Sequence, residues 1–297
     1  MTLGGRRLRE LIAQDTCHVA APVYDPLSAR LADMRGWRIG KLSGSAWKAA
    51  NMAMPDDVAL TTMQDLVAVS RNVMEASDLC LVVDADDGGG TAVNVLRTVR
   101  QLEAAGVAAI EIEDNAVPRY YGESSRHGLA VSQAEQVGKL KAALDARRHD
   151  STMIVARLIP RDLPPGEVLE RAAAYADAGV DALMIAGLNP PRDGRRDVAD
   201  IHGVTSLPLF ALGFPWSIGH DRPFLAENNV RLRYVSYFPL LRLAIKAIET
   251  GLETMENDGD PDELGDRMAP IPRLRNSGDA VSREGEFRAW SDAYVTR

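Results

Sequence analysis

The chain has 297 residues, more than a two-layer domain needs and close to the roughly 250 residues of an eight-stranded α/β barrel plus additions. Hydrophobic residues make up 46% of it and aromatic residues only 5%, so its core is built from Ala, Val, Leu and Ile, which suits helices packed on a parallel sheet. A net charge of −8 argues against nucleic acid or an anionic membrane surface as partner, and no run approaches the roughly 20 apolar residues of a membrane span.

Residues 1–9 carry three arginines with no apolar signal-type stretch after them, so a cytoplasmic location is expected. Cys17 and Cys80 lie outside any metal-ligand spacing and read as buried free thiols.

Short apolar runs at 18–24, 37–42, 79–83, 108–112, 153–156, 182–186, 207–212 and 232–237 predict eight strands. Several are apolar throughout, as strands covered on both faces must be. Helices with readable ends lie between them. Thr91 caps a helix carrying Val95, Val99 and Leu102, which stops at Gly106. Ser132 and Glu135 form a capping box ahead of Val137, Leu140 and Leu144. A further helix spans 167–178 and stops at Gly179. The spacing is that of repeated βα units, and eight of them predict a closed (β/α)8 TIM-type barrel in a single domain over 1–297. Two segments break the rhythm. Residues 115–129 are long and polar and follow the fourth strand, as an active-site lid would. The tail at 256–297 is acidic, then rich in Pro and Arg, and closes in a helix over 285–294. Its Phe287, Trp290 and Tyr294 share one side and are expected to pack on another subunit.

Catalytic groups of such barrels sit at the C-terminal strand ends. The third strand runs into Asp84-Ala85-Asp86-Asp87 and three glycines, the fourth into Glu111-Ile112-Glu113-Asp114. Strand alternation sends Asp84 and Asp86 to one side, and Glu111 and Glu113 likewise. Carboxylates this close repel unless a cation holds them, and all-oxygen ligation selects a hard ion, Mg2+ rather than Ca2+. The plainer alternative is that these acids cap helices at ordinary βα junctions.

These two acidic motifs resemble the signature of the isocitrate lyase / phosphoenolpyruvate mutase superfamily. So do Leu42-Ser43-Gly44-Ser45, Pro55-Asp56-Asp57 and Ala156-Arg157. The stretches Val23-Tyr24-Asp25-Pro26, Asn94-Val95-Leu96-Arg97 and Phe287-Arg288-Ala289-Trp290 are most similar to the oxaloacetate decarboxylase branch. The resemblance implies a (β/α)8 barrel whose C-terminal helices are exchanged between subunits of a homotetramer, a homodimer being the other expectation. It implies Mg2+, with Mn2+ as a substitute, held at Asp84 and, mostly through water, at Asp57, Asp86 and Glu113. It implies a small 2-oxo acid or related carboxylate as substrate, bound by Ser43, Gly44, Ser45 and Arg157, and decarboxylation through a metal-stabilised enolate. Cleavage of a substituted malate, carbon–phosphorus chemistry on a phosphonate, and a non-catalytic carboxylate-binding protein stand as alternatives.

Three departures from the family pattern bear on the reaction. The lid lacks the lyases' cysteine, which removes the usual isocitrate-type cleavage. Tyr237, or Phe238 with a one-residue gap, stands where the decarboxylases carry a histidine. Leu158 and Ile159 follow Arg157 where polar residues are usual, and Trp47 follows the Ser43 loop, which together predict a more apolar pocket. Tyr24, Tyr237, Tyr120, Tyr121 and His127 are the candidates for proton transfer, with Arg157, Tyr237 and Tyr24 assigned to catalysis.

Overall fold

The structure is a computed structural model that describes residues 3–56, 60–115, 130–160, 163–188, 193–235, 238–257, 259–269 and 280–294. Its contacts divide the chain into two units, 1–237 and 238–297.

In the first unit the eight apolar runs become eight strands. They are β1 (His18–Val23), β2 (Ile39–Leu42), β3 (Cys80–Asp84), β4 (Ala109–Glu113), β5 (Met153–Leu158), β6 (Ala182–Ile185), β7 (Leu209–Leu212) and β8 (Val230–Tyr234). Each pairs in parallel with the next, and β8 pairs with β1, so the barrel closes in sequence order. This is the expected (β/α)8 architecture. Helix α1 (Leu3–Ile12) precedes β1, α2 (Pro26–Met34) follows β1, α3 (Gly44–Met52) and α4 (Met63–Ala76) both follow β2, and α5 (Ala92–Ala104), α6 (Gln133–Ala146), α7 (Pro165–Asp177) and α8 (Gly194–His202) follow β3 to β6 in turn. Two short helices, α9 (Trp216–Gly219) and α10 (Arg222–Glu227), connect β7 to β8. The helix starts lie where the capping residues place them: the Thr91 N–H donates to Asn94 Oδ1 at 3.0 Å, and Ser132 Oγ accepts from the Glu135 N–H at 3.2 Å.

The side chains bury in two layers. The outer layer, between strands and helices, contains Leu42, Leu81, Val83, Ile110, Ile112, Ile154, Leu158 and Leu183 with apolar residues of the helices. The inner layer fills the barrel with Ala20, Ile39, Val82, Ala109, Val155, Met184, Phe210 and Leu232, and α1 adds Leu8, Leu11 and Ile12 to it. That helix is fastened at the N-terminal strand ends. Arg9 pairs with Asp181 at 2.7 Å and donates to the Ser151 carbonyl at 3.2 Å, and His18 Nε2 lies 2.9 Å from the Leu11 carbonyl oxygen.

The layers correct one expectation from the sequence. Trp47 belongs to the outer layer, as does Leu158, because the face of α3 and the strand alternation turn both away from the barrel interior. Only Ile159 packs against the inner layer, so the apolar residues of this stretch narrow the mouth less than their sequence position implies.

The second unit holds α11 (Phe238–Glu256), a 3-10 helix (Pro261–Arg267) and α12 (Glu284–Tyr294). Leu243, Ile248, Leu252 and Met255 are exposed along α11. On α12, Phe287, Trp290 and Tyr294 are exposed, with Phe287 and Trp290 edge to face at 5.4 Å.

Candidate active site

The acidic motifs meet at the C-terminal mouth of the barrel because the β3 loop is stitched to β4. The Ala85 N–H donates to the Glu111 carbonyl at 3.0 Å, and the Glu113 N–H donates to the Asp86 carbonyl at 2.7 Å. Asp86 takes a left-handed backbone conformation, φ 48°, which residues with a Cβ adopt uncommonly and Asp more readily than most. The loop then passes Gly88, at φ +84°, where a Cβ would lie 2.6 Å from Val95 Cγ2, so any other residue would be strained and would push Val95 aside. Asp84, Asp86 and Glu113 each offer a carboxylate oxygen, and these oxygens lie within 4.8 Å of one another. Asp84 and Glu113 are buried.

Arg157 reaches this cluster from β5. Its Nη1 donates to Asp84 Oδ2 and lies 3.4 Å from Glu113 Oε2, while its buried Nε has no acceptor among the described residues. Burial opposes the charge of Asp84, but Arg157, Lys41 and Lys48 outweigh it and hold the carboxyl well below the usual carboxylate range. Burial likewise opposes the charge of Arg157, and the fields of Asp84, Glu113 and Glu111 raise its pKa regardless.

The Ser43–Ser45 segment forms the start of α3. Ser43 is its N-cap residue, but the hydroxyl makes no capping bond. The Gly44 N–H points to Asp84 Oδ2 at 3.4 Å, and a Cβ on Gly44 would crowd Asp84 Oδ2 at 3.3 Å and Asp86 Oδ1 at 3.4 Å. Glycine there lets the loop lie close against the acids. Tyr24 follows β1 directly, beside the end of β2. Burial, then the charge of Asp25, raises the pKa of its phenol, so it is a neutral hydroxyl at pH 7.

Asp57, Tyr237, Tyr120, Tyr121, His127 and all of 115–129 beyond Asn115 lie outside the described residues. The ends of that segment are fixed: Asn115 and Ala130 form an antiparallel bridge, and the Val131 N–H donates to the Asp114 carbonyl at 2.8 Å. Next to this bridge, Asp114 accepts from the Tyr175 hydroxyl at 2.9 Å, and Arg171 donates to the Val131 carbonyl at 2.9 Å.

Four site residues escaped the sequence reading. Lys48 Nζ bridges Asp86 at 3.0 Å and Asp56 at 3.1 Å. Burial disfavours its charge, yet Asp86 and Asp56 lift its pKa above that of an ordinary lysine. Asp56 thus joins the described residues of the mouth, while the neighbouring Asp57, expected as a metal ligand, lies outside them. Deeper in the barrel, Lys41 Nζ donates to Glu111 Oε2 at 2.5 Å and the Tyr234 hydroxyl donates to Glu111 Oε1. A charged residue inside each of two apolar strands was the available signal; its partner is distant in sequence, so spacing could not identify it.

The donor set fits a divalent cation. Among the described residues, five carboxylates (Asp56, Asp84, Asp86, Glu111, Glu113) face three cations (Lys41, Lys48, Arg157) through the ion pairs above, which leaves two negative charges. One hard divalent ion balances them, and the ligand atoms are all oxygen.

Comparison with known proteins agrees with this geometry. The family model for phosphoenolpyruvate phosphomutase matches residues 8–255. An oxaloacetate decarboxylase of Rhodopseudomonas palustris (strain ATCC BAA-98 / CGA009) is 37% identical over 281 residues, 94% of each chain. One of Marinomonas sp. (strain MWYL1) is 32% identical over 293 residues, covering 97% of this chain and 94% of the relative. The crystal structure of phosphoenolpyruvate phosphomutase from Streptomyces platensis subsp. rosaceus superposes with a TM-score of 0.84 at 28% identity, over 99% of this chain and all of that one. A barrel closed in sequence order, acids converging from β3 and β4, and a family match over most of the length lead to one conclusion: the chain belongs to the phosphoenolpyruvate phosphomutase family.

Proposed function

We propose that the chain is a Mg2+-dependent carbon–carbon lyase that decarboxylates a 2-oxo acid of the oxaloacetate type. The observation that carries this reading is the convergence of Asp84, Asp86 and Glu113 within 4.8 Å, with Arg157 against two of them. The 37% identity to an oxaloacetate decarboxylase over nearly the whole chain supports the substrate class. Asp84, Asp86 and Glu113 would hold Mg2+, or Mn2+ in its place, with Asp57 as a further ligand. Bound there, the ion supplies Lewis acidity toward the carbonyl and carboxylate oxygens of the oxo acid, stabilising the charge that develops as a carbon–carbon bond breaks.

The chain's own groups do the rest. The buried Nε of Arg157 offers an N–H to the substrate carboxylate, while Nη1 stays on Asp84 and Glu113. Ser43, whose hydroxyl is not used in capping, and the first turn of α3 at Gly44 and Ser45 present further donors to its oxygens. The bond from C3 to its carboxylate carbon breaks, CO2 leaves, and the electron pair remains as an enolate. A proton returns to C3 from water or from a neutral tyrosine, Tyr24 or Tyr237. Purified chain with Mg2+ should release CO2 and pyruvate from oxaloacetate, lose the activity on chelation, and regain it with Mg2+ or Mn2+. Saturable metal binding without CO2 release from oxaloacetate would overturn the substrate.

A second reading, carbon–phosphorus chemistry on a phosphonate, draws support from the 28% identity and full-length superposition with the phosphomutase. A panel of oxo acids, substituted malates and phosphonates separates the two. The exposed apolar faces of α11 and α12 support assembly into a homo-oligomer, a tetramer or dimer, through those helices. No helix among the described residues is long and apolar enough to cross a membrane, which is compatible with a cytoplasmic enzyme.

A further inference from the structure

Lys48 is the only charged residue of α3, and only 3% of it is exposed. Burying an ammonium is costly unless its charge is met. Both of its partners are acids of the catalytic mouth: Asp86, one of the three converging carboxylates, and Asp56, whose side chain is 39% exposed. Trp47, its neighbour on the helix, packs into the outer core, which leaves Lys48 to face the acids.

A fixed positive charge on a ligand carboxylate competes with any ion that the carboxylate holds, directly or through water. Without Lys48 the described groups of the mouth would carry one more uncompensated negative charge, three in place of two. We propose that Lys48 is a resident counter-cation of the metal site, which weakens the site's hold on its divalent ion and matches the mouth to a single one. This rests on the reading of Asp84, Asp86 and Glu113 as a divalent-cation site. Its charge role is opposite in sign to a merely structural one. If Lys48 only held Asp86 and Asp56 in place, removing it would loosen the ligands and weaken binding.

Mn2+ binding to the full-length chain, followed by the electron paramagnetic resonance of the free ion, tests this without an activity assay. Lys48→Met and Lys48→Gln, two neutral replacements of which either one suffices if the other fails to fold, should bind Mn2+ more tightly by on the order of ten-fold. Lys48→Arg, which keeps the charge, should bind close to the unmodified chain. Unchanged or weaker binding in the neutral variants, with their melting temperatures near normal and the unmodified chain binding saturably, overturns the role of Lys48 alone. Saturable binding in none of the chains overturns the metal reading itself, and the inference with it.

Discussion

The N-terminal end of the barrel buries Leu8, Leu11 and Ile12 of α1 among Ile39, Val82 and Ala109. One strand length away, the C-terminal end of the same strands gathers the carboxylates of Asp56, Asp84, Asp86 and Glu113 around Lys48 and Arg157. The first arrangement is what burial of apolar surface favours. The second gathers like charges and spends a left-handed aspartate, Asp86, on bringing them together. The contrast shows where each end's residues act: the plugged end secures the fold, and the charged end sacrifices some stability for chemistry.

If that division is right, variants at the two ends should separate activity from stability. Asp84→Asn has the largest expected effect, a loss of decarboxylation on the order of a thousand-fold, since it removes a proposed metal ligand. It also removes a charge that Arg157 meets and should lower the melting temperature, so turnover is compared per folded molecule; near-normal CO2 release from this variant would sink the assignment. Between the ends, Lys41→Met leaves Glu111 buried without its ammonium partner and should destabilise by roughly 3–5 kcal/mol. The double variant Lys41→Met/Glu111→Leu should recover most of that in urea titration, and no recovery would mean that the pair is not simply structural. Leu8→Ala should cost roughly 2–5 kcal/mol and leave turnover per folded molecule unchanged. A catalytic defect in it would erase the contrast between the ends.

The smallest effect concerns His18, which links β1 to α1. Burial, partly offset by the Leu11 carbonyl, lowers its pKa below the ordinary 6.5. The folded state therefore resists protonation more than the unfolded chain does. Its contribution is complete above about pH 6.5 and is lost as pH falls through the lowered folded value. Melting temperatures of the natural chain and of His18→Gln, compared at pH 7.5 and 5.5, should show the larger acid loss in the natural chain. Equal losses would remove His18 from the account.

The barrel was legible because strands covered on both faces leave apolar runs, and all eight runs correspond to strands. The last was displaced: β8 begins at Val230, ahead of the run at 232–237, because Arg231 and Arg233 alternate with its buried residues. Arg231 pairs with Asp15 at 2.5 Å and Arg233 contacts His220, so these two side chains of the strand meet polar groups. The Asp84, Asp86 and Glu113 cluster was legible because local alternation sets the direction of each side chain. Lys41 and Lys48 were not, since each meets its acids through barrel closure and packing, which no local spacing records.

The bridge between Asn115 and Ala130 has a consequence for how this site can change. Asn115 and Ala130 stand at paired positions, and next to them the Tyr175 hydroxyl donates to Asp114 and Arg171 donates to the Val131 carbonyl. Closing a longer loop across fixed ends costs little, about 0.6 kcal/mol per doubling of length. The bridge is thus a standard fitting: chain of another length can join Asn115 to Ala130 while the eight strands and the acids of β3 and β4 stay as they are.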